Sequence, residues 1–204
     1  MLLILFFNSI IKSTAKFNQT FKSILLALIV LISGSYIFNK TKIYFKHDTK
    51  TLVRKFEGRN PYYEAMIVSD SLNSILKPDD KLAILGSEAE IYFYTKAKPA
   101  TGYLFTYELV KPHKYNLQMQ KEMIGEIEKN KPKAIVYANI RTSWLIYNDV
   151  PMEIFSWLDE YLKQYEKIGV IDIGYDTTIY KWHKDVQGYA PRSKAVLNVY
   201  LRKN

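Results

Sequence analysis

Residues 86–103 read GSEAEIYFYTKAKPATGY and follow directly on the apolar run LAIL at 82–85. In an open α/β sheet, ligands bind beyond the carboxyl ends of strands, where helix N-termini expose unpaired N–H groups. This stretch has that position. Gly86 permits a tight turn, Ser87 can cap the helix that follows, and Glu88 and Glu90 complement the positive end of its dipole. The same acids repel an anion, which argues against a phosphate there. A capped helix start also needs nothing bound to it, so a structural reading stands beside the functional one. Tyr92, Phe93 and Tyr94 suit core packing as well as stacking on a sugar. Thr101 and Tyr103 follow closely enough to border the same crevice. The candidate binding residues are Gly86, Ser87, Glu88, Tyr92, Thr101 and Tyr103, with no catalytic residue and no metal ligand assigned.

Other chemistries lack their residues. The chain has no cysteine, which excludes disulfides, thiolate metal sites and cysteine catalysis. His47, His113 and His183 have no second ligand three or four positions away, so they read as surface histidines. Neither a Walker pattern, nor G-x-G-x-x-G, nor a G-x-S-x-G elbow occurs, and no cofactor is expected. A net charge of +9 suits a partner bearing phosphate, either nucleic acid or an anionic membrane surface. Without a block of like charge or a zinc-finger, RNP or basic-zipper pattern, nucleic acid is not an expected partner.

Membrane lipid is the expected partner. Residues 23–38, SILLALIVLISGSYIF, carry no charge and lie between Lys22 and Lys40. Roughly 17 to 25 apolar residues are needed to cross a bilayer, and the flanking lysine stems extend this run slightly. Residues 18–42 are therefore read as a transmembrane helix, and 1–17 as a partial apolar or interfacial helix. Six Lys and Arg follow the span by position 55 and three precede it, which by charge counting places the C-terminal part in the cytoplasm, although long domains often translocate regardless of charge.

Residues 43–59 form a mixed, basic linker ending at Gly58. From 60 to 204 helices and strands alternate. Asn60 can cap a helix with Pro61 in its first turn, and Ala65, Val68, Leu72 and Ile75 recur at helical spacing. Strands are expected at 82–85, 133–139, 168–174, 177–182 and 195–201, with helices over EAEIYFY, over 115–130 and over 151–167. The expected fold is a three-layer α/β domain with a mostly parallel sheet and an antiparallel C-terminal edge.

The stretch LAILGSEAEIYFYTKAKPATGY resembles the C-terminal extracytoplasmic domain of bacterial membrane glycosyltransferases of the C-type superfamily, relatives of the protein mannosyltransferases and aminoarabinose transferases. In those proteins a strand ends in G-S-E-P-Q, followed by I-Y-F-Y, a basic stretch and A-T-G-Y. NPYYEA, DDKLAILGSE, HKYNLQMQKEMIGEIEKNKPKAIVYANIRTSWL and IDIGYDTTIYKW are similar to the matching stretches, in the same order and after a final membrane helix. Ala89 stands where the family often has proline, and Glu90 where it often has glutamine. The resemblance implies an accessory domain of a polyprenyl-phosphate-sugar-dependent transferase, binding an acceptor or acting as a lid, outside the bacterial inner membrane. Its implied partners are a multi-span transferase core or a glycan acceptor. The family's catalytic acids lie in a loop between membrane helices that this sequence does not contain, so none transfers, and the chain alone is expected not to turn over a lipid-linked sugar. The alternative is a membrane-anchored binding or interaction module unrelated to sugar transfer.

Overall fold

The computed structural model describes residues 18–203; the apolar segment 1–17, with its expected partial helix, lies outside the described residues. The chain divides into two units, Met1–Leu52 and Val53–Asn204. In the first, α1 (Gln19–Lys46) is a 28-residue helix opened by Asn18, whose side chain accepts from the Phe21 N–H at 2.8 Å. At 1.5 Å per residue it is about 42 Å long, ample for the ~30 Å of a bilayer core. Its most apolar 18-residue window has a mean hydropathy of 2.0, and none of that window is buried. Such a helix is long and apolar enough to cross a membrane. Asp48 then opens α2 (Thr49–Glu57) by accepting from the Thr51 N–H and hydroxyl at 2.9 and 3.0 Å. Gly58, at φ 61°, ends it in the left-handed conformation open to glycine.

The second unit is built on six strands: β1 (Lys81–Leu85), β2 (Lys98–Pro99), β3 (Ala134–Asn139), β4 (Tyr165–Ile173), β5 (Thr178–Trp182) and β6 (Val196–Arg202). Their order across the sheet is β2-β1-β3-β6-β4-β5. β1 is parallel to both neighbours, β6 lies antiparallel between β3 and β4, and β5 closes a hairpin on β4. Consequently β1 to β4 run one way and β5 and β6 the other, a mostly parallel sheet with an antiparallel end. α3 (Tyr62–Asn73) and α4 (Glu90–Thr95) cover one face. α5 (Asn116–Asn130) lies on the other; α6 (Arg141–Trp144) is a single turn after β3, and α7 (Glu153–Tyr161) packs beside α5.

Both faces are buried, which is why the strands read as unbroken apolar runs. Leu82 and Ile84 pack with Ala65, Val68 and Leu72, while Ala83 and Leu85 pack with Met123, Ile127, Ile154 and Leu158. Two local expectations fail. Asn60 caps nothing: α3 starts after Pro61 without a side-chain cap, and the Asn60 Oδ1 accepts from the Thr142 hydroxyl at 2.7 Å. The helix expected over 151–167 stops at Tyr161, and Tyr165 already pairs with Arg202 as the first residue of β4. Tyr165 leaves the helical pattern because its hydroxyl donates to the Pro132 carbonyl at 2.8 Å while its ring lies 5.6 Å from that of Tyr161.

Candidate functional site

The carboxyl ends of β1 and β3 open on a common rim, and the loop after β1 turns back into it. Gly86 makes the turn at φ 153°. A Cβ there would stand 2.2 Å from the Glu88 Oε2 and 2.7 Å from the Ala138 Cβ, so no other residue fits. Ser87 donates to the Ser143 carbonyl at 2.7 Å and accepts from the Thr106 N–H at 3.2 Å, tying three loops together. This replaces its expected capping role: α4 starts after Ala89 with no side-chain cap, and the Ser87 hydroxyl is used across the rim instead.

Glu88 points inward and is only 3% exposed. Its Oε1 accepts a short hydrogen bond from the Ser143 hydroxyl, while its Oε2 has no partner among the described residues. Burial pushes its carboxyl from 4.5 up to about 7, against the pull of the Ser143 bond and reinforced by Glu90. Burial also raises Glu90, and it raises the Tyr62 phenol together with the charges of Glu57 and Glu90. These groups line a crevice of ≈ 50 Å³ with Asn60, Pro61, Ser87, Tyr107, Thr142 and Ser143. That volume admits a few water-sized groups, not a whole sugar ring. At neutral pH a carboxyl near pKa 7 is present in both forms, so Glu88 can accept a hydrogen bond or donate one. Neutral hydroxyls match that character, and anions do not.

Of the six residues singled out from sequence, Ser87 and Glu88 line this crevice and Gly86 shapes its floor. The other three do not join them, so the shared crevice expected from their spacing does not form. Tyr92 lies under β1, where its hydroxyl accepts from the Ile84 N–H at 3.0 Å and donates to the Leu82 carbonyl at 3.3 Å. Thr101 donates to Glu126 at 2.6 Å and Tyr103 to Glu122 at 2.6 Å, which fastens their loop onto α5. Sequence reading did not single out Tyr62, Tyr107, Thr142 and Ser143, although NPYYEA and NIRTSWL, which hold three of them, are among the stretches that carry the resemblance. Among the described residues no group of three or more His, Asp and Glu converges to hold a metal ion.

Comparison of the chain with protein families, curated proteins and solved structures returns no match.

Proposed function

We propose that the chain is a membrane-anchored accessory unit of a polyprenyl-phosphate-dependent sugar transferase, with α1 crossing the bilayer and the α/β unit binding a glycan acceptor on the extracytoplasmic side. The observation that carries the acceptor-binding role is the buried Glu88, whose Oε2 is unpartnered beside a small polar crevice. A buried polar atom without a partner is costly unless a ligand or water completes it. A hydroxyl or hydroxymethyl arm fits the volume and can exchange hydrogen bonds with Glu88 and with the phenols of Tyr62 and Tyr107. The resemblance of GSEAEIYFYTKAKPATGY to the transferase domain supplies the sugar context, and the hydroxyl-lined crevice agrees with it.

Saturation-transfer NMR of the full chain in detergent against a panel of soluble oligosaccharides tests this. Contacts are expected at pH 6 and at least a tenfold weakening in Glu88→Ala, the size of a lost hydrogen bond to a charged or part-charged group. The absence of saccharide contact at any pH, or contacts unchanged in Glu88→Ala, would remove the acceptor role.

A further inference from the structure

Beyond the crevice, the same rim carries four cations. Arg59, Arg141 and Lys194 line a cavity of ≈ 350 Å³ that shares Asn60 and Thr142 with the Glu88 crevice. Arg59, Arg192 and Lys194 line the next cavity along, of ≈ 390 Å³. Among the described residues none of the four forms an ion pair with a carboxylate. Arg59 instead lies 4.4 Å over the ring of Tyr175, which is 76% exposed. The one acid in these cavities, Asp172, is already engaged: it accepts from the Tyr189 hydroxyl and from the Arg192 and Ser193 N–H groups at 2.7 to 3.0 Å.

On the other side of the crevice the rim is apolar. Leu104, Phe105, Tyr107, Leu145, Ile146 and Tyr147 are all exposed, and Phe105 and Tyr107 stack at 6.4 Å. These loops belong to the same edge, because Thr106 donates to the Ser143 carbonyl at 3.0 Å and Tyr147 to that of Val110 at 3.3 Å. Exposed aromatics and aliphatics beside unpaired cations are the composition of a membrane-interface surface: rings sit at headgroup depth and cations meet lipid phosphates.

The chain also enters the unit here, since Arg54 bonds Thr178 at the start of β5 and Arg59 lines the rim itself. Only His47 and Asp48 lie between α1 and α2, and α2 continues past Leu52 into the second unit, so the link between the two is short. We propose that this rim docks on the anionic surface of the bilayer that holds α1, with Arg59, Arg141, Arg192 and Lys194 on lipid phosphates and loops 104–107 and 145–147 in the interface. The proposal rests on the reading of α1 as a membrane anchor. It deepens the functional reading as well, for a crevice on such a rim meets ligands presented at headgroup depth.

The test is amide hydrogen exchange of the full chain in nanodiscs of phosphatidylcholine alone or with about 30% phosphatidylglycerol, where each cation near an anionic surface changes affinity several-fold. Loops 104–107 and 145–147 should exchange about tenfold more slowly in the anionic discs, an effect lost at high salt and in the Arg141→Glu, Lys194→Glu double variant. Conservation of exchange in α3 and β3 of that variant reports that it is folded. Loop exchange indifferent to lipid charge, in a chain that stays in the disc, overturns the proposal and leaves the rim to a protein partner. If the chain leaves the disc, the anchor reading fails instead. Salt-sensitive sedimentation of that released chain with vesicles of the anionic composition then decides the docking, and no sedimentation overturns it.

Discussion

Two glutamates in the second unit are almost equally buried and are treated in opposite ways. Glu64, on the first turn of α3, is fully buried and receives Arg54 and the Thr178 hydroxyl, which draw the chain's entry segment, α3 and β5 onto one carboxylate. Glu88 is 3% exposed and receives only a neutral hydroxyl, from Ser143. A buried charge with a cation beside it is a tie between elements. One without a cation is pushed toward its neutral form; the Oε2 of both is unpartnered among the described residues, so the cation is what separates them. The comparison assigns Glu64 to architecture and leaves Glu88 as the candidate for recognition.

Removing the cation should give the largest effect. Arg54→Ala strands a buried carboxylate and is expected to lower stability by about 3–5 kcal/mol, read by urea unfolding followed by circular dichroism. A loss below about 1 kcal/mol would mean that Glu64 is no tie, and the contrast would collapse. The second effect concerns pH. Because the folded pKa of Glu88 lies above its ordinary 4.5, the unfolded chain releases its proton first, and stability falls as pH rises from about 4.5 and levels off above about 7. The wild type should lose on the order of 3 kcal/mol over that window, whereas Glu88→Gln lacks this slope. Parallel stability curves for the two proteins between pH 4.5 and 8 would place Glu88 in the same class as Glu64.

The smallest effect sharpens the contrast from a third position. Tyr92→Phe keeps the ring and removes the hydroxyl, which leaves the buried Ile84 N–H without its acceptor. A loss of about 1–3 kcal/mol is expected, together with faster exchange of the Ile84 amide. Saccharide binding should not change, since Tyr92 does not line the crevice. A binding defect with normal stability would return Tyr92 to the site.

Much of the fold was legible because both sheet faces are covered. LAIL, AIVYAN and GVIDI are apolar runs too short for helices, and the helices between them carry their buried residues at helical spacing. What stayed hidden depended on contacts remote in sequence. Nothing in VLNVYLR says that β6 enters between β3 and β4, since a strand's neighbours are not written in its own pattern. β2 is two residues long and one of them is proline, below any periodic signal. Glu88 reads from sequence as an acid complementing a helix dipole, because its local neighbours, Ser87 and Glu90, give no sign of burial. Its burial is imposed by Ser143, 55 positions away. Asp172 carried a better clue, a carboxylate inside IGVIDIG, but its partners lie 17 to 21 residues further on.

The shortness of β2 has a consequence for how copies of this protein coexist. A strand edge with free N–H groups is a template on which a neighbouring chain can add a strand, and proteins in which such edges stay open aggregate. Here β2 offers only Lys98 and Pro99, both exposed, one charged and the other lacking an N–H. Beyond β2 the edge of β1 would lie bare at Ile84, and the Tyr92 hydroxyl occupies that donor from within the same chain. One phenol thus acts as a substitute strand. Molecules crowded side by side find no template at this point of the sheet.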